Sequence, residues 1–415
     1  MKKLVALLLT LSLCMALPYA FVQAEEQIVL TFSHWGSETD EAVYAKRAQA
    51  FMDLHPNIKI EIQYYPADYI QKMTAMVAGG TPPDVMVFAE DIHAFSSKGQ
   101  LLALNDYLEK ENVDLAARVG QTAVDIYSQN GMVYGLPDRA GAMVLFYNKD
   151  MFDAAGIEYP SPDWGWEEML GAAKAMTGGE GDAETWGLGT EYWWCYWMNW
   201  IYQGGGRILD ENGEIVINSP ENIAALDYMK ELTTVHDVWP TRTELASIGS
   251  GASSSTLFAQ GRIGMMPNGL WGISSLADAD FHWDMAEVWA GATAPFGSAL
   301  TISSQCKHPD EAFQFINFMN SVEGQTMIAE NAQDAPASLE VLSSAAFLDA
   351  PWTSKEVDME VFARSVPITY QPPINKYWST WDTIWSDEFA AVFDGAADSA
   401  TVLANVEARM KDAME

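Results

Sequence analysis

Along this chain, short runs in which apolar and polar residues alternate take turns with longer stretches in which apolar residues recur at helical spacing. Ile28 to Phe32 reads as a short apolar strand, after which Val43, Ala50, Phe51 and Leu54 mark a helix that His55-Pro56 ends. Ile58, Ile60 and Ile62 alternate as a second strand. A helix from about Asp68 to Ala78 stops at Gly79-Gly80, and Asp84 to Phe88 supplies a third strand. The pattern breaks between Gly135 and Gly141 and restarts with a strand over Ala142 to Tyr147. Trp166, Met169, Leu170 and Ala173 then predict a helix, and Ala312, Phe315, Ile316 and Met319 repeat its spacing. Strand and helix in alternation predict an α/β fold, a mostly parallel sheet with helices on both faces.

The first residues follow another rule. Lys2 and Lys3 precede an apolar run from Leu4 to Leu17, then Pro18 and the small-residue pattern Val22-Gln23-Ala24. This order predicts a signal peptide over residues 1–24, cut after Ala24, because the run is shorter than the ~20 residues of a membrane span. Cys14 follows the bulky Leu13, which favours a soluble exported protein over a lipid-anchored one. About 390 residues remain, more than one core usually supports, and a hydrophobic content of 49% can fill two lobes. The net charge of -35 argues against nucleic acid, anionic lipid and phosphorylated ligands as partners, and an acidic surface also keeps an exported protein soluble in a salty medium. Cys195 and Cys306 are expected as two free, buried thiols in different lobes.

Several stretches carry a family resemblance. They are Gly80-Thr81-Pro82-Pro83-Asp84-Val85, Tyr134-Gly135-Leu136-Pro137, and Phe146-Tyr147-Asn148-Lys149-Asp150 with Phe152. Further on come Gly261-Arg262-Ile263-Gly264-Met265-Met266, Asn268-Gly269 with Trp271, and His308-Pro309-Asp310-Glu311-Ala312 through Ser321, Gly324 and Gln325. In order and spacing the chain resembles the family 1 extracellular solute-binding proteins, which include bacterial maltose-binding protein. The resemblance implies a two-lobe, type II periplasmic-binding-protein fold with the ligand in the cleft between lobes joined by hinge crossings. Mapped by the motifs, the first lobe holds residues 25–139 and 286–330, and the second holds 140–285 and 331–415. It also implies an exported, periplasmic or cell-surface protein, monomeric, that hands a sugar to ABC transporter permease subunits without a cofactor or catalysis.

A sugar offers weakly apolar C–H faces and a ring of hydroxyls, so its receptor needs aromatic plates and hydrogen-bonding groups. Tyr192, Trp193, Trp194, Tyr196, Trp197 and Trp200 crowd into one segment, from which Trp194 and Trp197 are the preferred plates. Trp35 and Glu38 follow the first strand; Glu90 and Asp91 follow the third. By the resemblance, Asp91 occupies the place of a carboxylate that accepts from sugar hydroxyls, and Trp271, beside Asn268, matches a stacking position. Asp138 and Arg139 lie at the expected first crossing, Phe296 follows the second, and Tyr370 is the terminal aromatic candidate. Gly141 stands where maltose-binding members carry a ligand-contacting glutamate, a departure that speaks against maltose.

Two other classes compete. A glycosidase needs two carboxylates about 5–10 Å apart, and 57 acidic residues make spacing uninformative, so the resemblance to binders decides against it. A cationic solute such as a polyamine would suit Glu38, Glu90, Asp91 and Asp138, but Arg139 opposes it. The six histidines are scattered, Glu180, Asp182 and Glu184 lack a calcium-loop pattern, and neither a P-loop nor a Gly-x-Ser-x-Gly elbow is present, so no metal, nucleotide or acyl chemistry is expected.

Overall fold

The computed structural model describes residues 27–331, 335–353 and 356–415; the expected signal peptide and Cys14 lie outside them. The strands are β1 (Ile28–His34), β2 (Ile58–Tyr64), β3 (Val85–Phe88), β4 (Ser128–Gln129), β5 (Met132–Val133), β6 (Gly135–Ala142), β7 (Val144–Asn148), β8 (Trp186–Leu188), β9 (Ile263–Asn268), β10 (Trp283–Ala286) and β11 (Pro295–Ile302). The described residues build a five-stranded sheet in the order β2-β1-β3-β11-β6, a four-stranded sheet in the order β10-β7-β9-β8, and the hairpin β4-β5. This is a two-lobe α/β architecture.

Local chemistry explains the first sheet. β1 runs parallel to β2 in a register from Ile28–Ile58 to His34–Tyr64. On β2, which is an edge, Ile58 and Ile60 turn inward while Lys59 and Glu61 pair on the solvent side at 2.6 Å. The crossover helix Glu38–Leu54 starts with a capping box between Ser37 and Asp40 and carries acidic residues in its first turn. The next helix, Tyr69–Ala78, ends at Gly79. β11 lies antiparallel between β3 and β6.

Residues 135–142, expected as a break, form a continuous strand instead. Glycine and proline here mark close packing at an edge. A Cβ on Gly135 would lie 2.7 Å from the Ala299 Cβ, and one on Gly141 would lie 2.6 Å from Phe296 Cζ. Pro137, which has no N–H, is tolerated because β6 is the last strand of its sheet.

The same strand carries the chain out of the first sheet. β6 ends at Ala142, and β7 of the second sheet begins at Val144. The return runs from Ala286 to Pro295, with Val288, Trp289 and Ala294 packed into the core of the second sheet. After the helices Pro309–Met319 and Val322–Asn331 a third passage follows, in which Pro336 bridges Arg139 on the free side of β6. The terminal helices Trp378–Phe393 and Ser399–Asp412 pack against Pro220–Thr234 over the second sheet. Cys195 is buried in the second core; Cys306 is only half-buried beside the first, and both thiols are free.

Where the passages meet, a fully buried ion pair ties them together. Arg47 Nη2 lies 2.6 Å from Asp138 Oδ1, with both side chains at 0% exposure. Tyr44 Oη donates to Asp138 Oδ2 at 2.8 Å, and Arg47 Nη2 also donates to the Met319 carbonyl at 2.6 Å. Gln325 Nε2 donates to the Asp138 and Met319 carbonyls, and Asn320 Nδ2 to that of Pro137. Desolvating two charges is expensive, and only such an array of bonds offsets it. Arg47→Met is therefore expected to destabilise the protein by roughly 3–5 kcal/mol, and Arg47→Met with Asp138→Leu by less than the single change, measured by urea unfolding at neutral pH.

Candidate functional site

Ligands of open α/β sheets bind beyond the carboxyl ends of their strands. Trp35 follows β1 and Glu90 follows β3, and together with Tyr44 and Arg139 they form one wall of a cavity of about 240 Å³. Trp193 and Trp271, from the second lobe, form the opposite wall, and Phe296, Gly297 and Ser298 of β11 lie between. One water needs only roughly 10–15 Å³ measured the same way, so the space fits a ligand of many atoms.

The two second-lobe plates are held differently. Trp193 is the N-cap of the helix Trp194–Gln203, so its ring stands clear of the helix body and is 45% exposed. Trp271 is the second residue of the 3-10 segment Leu270–Leu276 after β9 and is 37% exposed. A Cβ on Gly269 would fall 2.1 Å from Trp271 Cζ3, so only glycine lets that ring fold back over the strand end. Trp271 packs edge-on to Phe296 with centroids 4.6 Å apart, and Trp193 stands 6.3 Å from Trp271. Large aromatic faces left uncovered inside a cleft are surfaces for a partner.

Of the residues nominated from sequence, Trp35, Glu90, Arg139, Trp271 and Phe296 converge on this cavity. The others stand elsewhere, each for a physical reason. Asp138 is taken up by Arg47, away from the cavity. Trp197 is 2% exposed, wedged between Trp385 and Phe389 at 5.4 and 4.8 Å. Trp194 is equally buried, edge-on to Trp378, and meets the site only from behind, where its indole acts on Glu90. Asn268 Oδ1 accepts from Tyr196 Oη and from the Gly269 N–H, each at 2.9 Å, so it braces the turn that carries Trp271. Tyr370 stacks face to face on Tyr202 at 3.9 Å. Glu38 is exposed in the first turn of its helix. Asp91 lies just outside the cavity, where it accepts from Ser379 Oγ of the second lobe. Tyr44, Trp193 and Ser298 line the cavity without having been nominated.

Charge in the site is uneven. Arg139 Nη1 lies 2.7 Å from Asp40 Oδ1, and its guanidinium sits 5.1 Å from the Tyr44 ring centre. Burial alone would raise the Asp40 carboxyl, but Arg139 and the Ser37 hydrogen bonds outweigh it and hold it below its ordinary value. Burial pushes Glu90 up to about 7, with Asp91 and Asp382 adding to the rise and its own backbone N–H and the Trp194 indole opposing it. Asp382, across from Asp91 on the second lobe, is also raised, first by burial and then by Asp91. Near neutral pH, Glu90 is thus divided between a form that only accepts hydrogen bonds and one that also donates. Glu90 is the carboxyl on the cavity wall, with Asp91 and Asp382 close enough to act on it. Among the described residues, no three His, Cys, Asp or Glu are placed to hold a metal ion.

The raised Glu90 fixes a sign for stability against pH. Its folded value of about 7 exceeds its ordinary 4.5, so its contribution is complete below about 4.5 and is lost as pH rises through 7. Glu90→Gln is expected to flatten that decline, gaining up to about 3 kcal/mol over the parent between pH 4 and pH 8. Urea unfolding at the two pH values measures it.

The model of the bacterial extracellular solute-binding protein family matches residues 46–356. An ABC substrate-binding protein of Listeria monocytogenes, solved in complex with cycloalternan, superposes with a TM-score of 0.82 at 28% identity, covering 94% of this chain and 99% of that one. A maltooligosaccharide ABC transporter solute-binding lipoprotein of Streptococcus pneumoniae is 24% identical over 361 residues, 83% of this chain and 80% of the relative. An arabinooligosaccharide-binding protein of Bacillus subtilis is 24% identical over 352 residues, 78% and 77% of the two chains. With three quarters of its length matched by one family model, and with the two-lobe architecture and interlobe cavity described above, this chain belongs to the bacterial extracellular solute-binding proteins.

Proposed function

We propose that the protein binds a sugar in the cavity between its lobes and delivers it to the permease of an ABC importer. The observation that carries this reading is the pairing of uncovered Trp193 and Trp271 with Trp35 across a space that also holds Glu90, Arg139 and Ser298. Indole faces suit the C–H faces of a pyranose or furanose, and the carboxyl, guanidinium and hydroxyl suit its hydroxyls. The cycloalternan complex of the Listeria protein and the oligosaccharide-binding names of the two relatives support the same ligand class. In this reading the protein works outside the cytoplasmic membrane as a monomer and breaks no bond in its ligand; among the described residues, no helix is long and apolar enough to cross a membrane.

The proposed cycle is hinge closure about β6 and β11. Residues 27–142 with 295–331 belong to one lobe, together with the short helices Leu339–Leu342 and Ala345–Leu348 that pack on Val322–Asn331, and 143–294 with the terminal helices Trp378–Phe393 and Ser399–Asp412 belong to the other. Ligand held by one lobe gains contacts from the second only in the closed form, and that difference in affinity drives the closure. A micromolar dissociation constant corresponds to about -8 kcal/mol, a demand that stacked indoles and several charge-assisted bonds meet.

Trp271→Ala is expected to weaken sugar binding by tenfold or more, with the melting temperature of the free protein nearly unchanged because the ring is part-exposed. Isothermal titration calorimetry measures the first and thermal unfolding the second. Unchanged affinity in the variant would remove Trp271 from the site, and stabilisation by spermidine with none by any neutral sugar would replace the sugar reading with a cationic one.

A further inference from the structure

Where the two lobes touch beside the cavity, their charged side chains are of one sign. Glu90 and Asp91 follow the first-lobe strand β3, and the second lobe answers with Asp382, one turn after Ser379 on the helix Trp378–Phe393. Ser379 Oγ donates to Asp91 Oδ1, a hydrogen bond that spans the cleft.

We propose that Glu90, Asp91 and Asp382 form a proton site that is complete only when the lobes meet, so that the protein takes up a proton as it closes and acid shifts the free protein toward the closed form. The inference rests on the hinge closure proposed above and adds a second effector to it, one that does not depend on which ligand the cleft receives.

The surroundings of Glu90 decide the sign. Its own loop contributes Asp91, and the helix Trp378–Phe393 contributes Asp382. The helix Trp194–Gln203 brings the Trp194 indole and the Cys195 thiol, and the Tyr127 phenol stands after the helix Gln121–Ile126. Burial pushes that thiol and that phenol well up, so both stay neutral over the range in which Glu90 titrates. Arg139, the cation of the cavity wall, is directed to Asp40 at 2.7 Å. Glu90 thus meets carboxyls and neutral groups, and a carboxyl in such a place holds its proton.

Three of these neighbours, Trp194, Cys195 and Asp382, belong to the second lobe, and they leave Glu90 when the lobes part. Glu90 then faces water, both across the cavity and from a hollow of the first lobe that it also lines. In the form described here its value is about 7, against an ordinary 4.5, so closure draws in a proton between those limits. The Trp194 N–H, buried in the second-lobe core, acts on this carboxyl and has no bonded acceptor elsewhere, which ties the cluster to that core.

The test is small-angle X-ray scattering of the free protein from pH 5 to pH 8, which reports its open and closed fractions, with maltotriose and arabinotriose added separately at pH 8. The closed-to-open ratio of the parent is expected to rise about tenfold from pH 7.5 to pH 5.5. Glu90→Gln, which keeps the shape of the acid and cannot ionise, is expected to remove most of that rise, and Asp382→Asn to move it to lower pH. Glu109→Gln, at an exposed carboxylate of the helix Asn105–Lys110, keeps the parent profile and so separates the cluster from general relief of the net charge. A melting temperature confirms the folding of each variant. Dimensions of the parent that do not change with pH, or a profile that survives in both Glu90→Gln and Asp382→Asn, overturn the proton site. If a sugar still contracts the parent at pH 8 in that case, hinge closure stands without it. If neither acid nor sugar contracts the protein, hinge closure falls as well.

Discussion

The buried Arg47–Asp138 pair is the constraint on which the arrangement of this molecule depends. Two full charges at 0% exposure are stable only while every bond around them is kept, and those bonds come from the first crossover helix, the strand β6 and the helices Pro309–Met319 and Val322–Asn331. Neighbouring residues in a strand point to opposite faces. Fixing Asp138 inward therefore aims Arg139 outward, to Asp40 and the cavity. The pair thus sets both the place where the chain leaves the first lobe and the direction of a cation in the site.

Missing side chains shape the site as much as present ones. Gly141 leaves the space into which the Phe296 ring fits, and Gly269 leaves the space over which Trp271 folds. Phe296 and Trp271 then meet edge-on, so the floor and one wall of the cavity form a single aromatic unit. At position 141 an aromatic ring from β11 thus fills the volume that a longer side chain on β6 would need. A glutamate there would have to displace Phe296, and with it the support of Trp271.

Much of the fold was legible in the sequence because burial on a sheet and on an amphipathic helix imposes periods of 2 and 3.6. The strands at Ile28, Ile58 and Val85 and the helices at Trp166 and Pro309 stand where those periods put them. The strand 135–142 was hidden because its glycines and proline answer to tertiary packing and an edge position, which have no local signature. The site was harder to read. Trp193 belongs to the aromatic segment from which Trp194 and Trp197 were preferred, yet it is the N-cap, and that position at the helix start leaves its ring exposed while Trp194 and Trp197 are buried. Trp194, Trp197 and Tyr370 are drawn into aromatic packing that buries large areas, and composition alone does not separate a core indole from a ligand plate. Tyr44 gave no signal, since it reaches the cavity only through the helix bolted down by the ion pair.

Closure in the proposed cycle faces an electrostatic obstacle of the protein's own making. Glu90 and Asp91 on one lobe confront Asp382 on the other, and the carboxyls of Glu90 and Asp382 are raised in part by the charge of Asp91. Like charges brought together out of water resist approach, so the empty closed form is penalised beyond the ordinary cost of ordering. Hydroxyl donors supplied by a ligand between these groups relieve that penalty, as does the Ser379 hydroxyl already bonded to Asp91. The carboxylates then contribute to affinity mainly through the difference between empty and filled closed states. A ligand shifts a conformational equilibrium only by such a difference. In the proposed cycle, repulsion across the cleft would make closure depend on a donor-rich guest, with the uncovered indoles Trp193 and Trp271 as surfaces for its apolar faces.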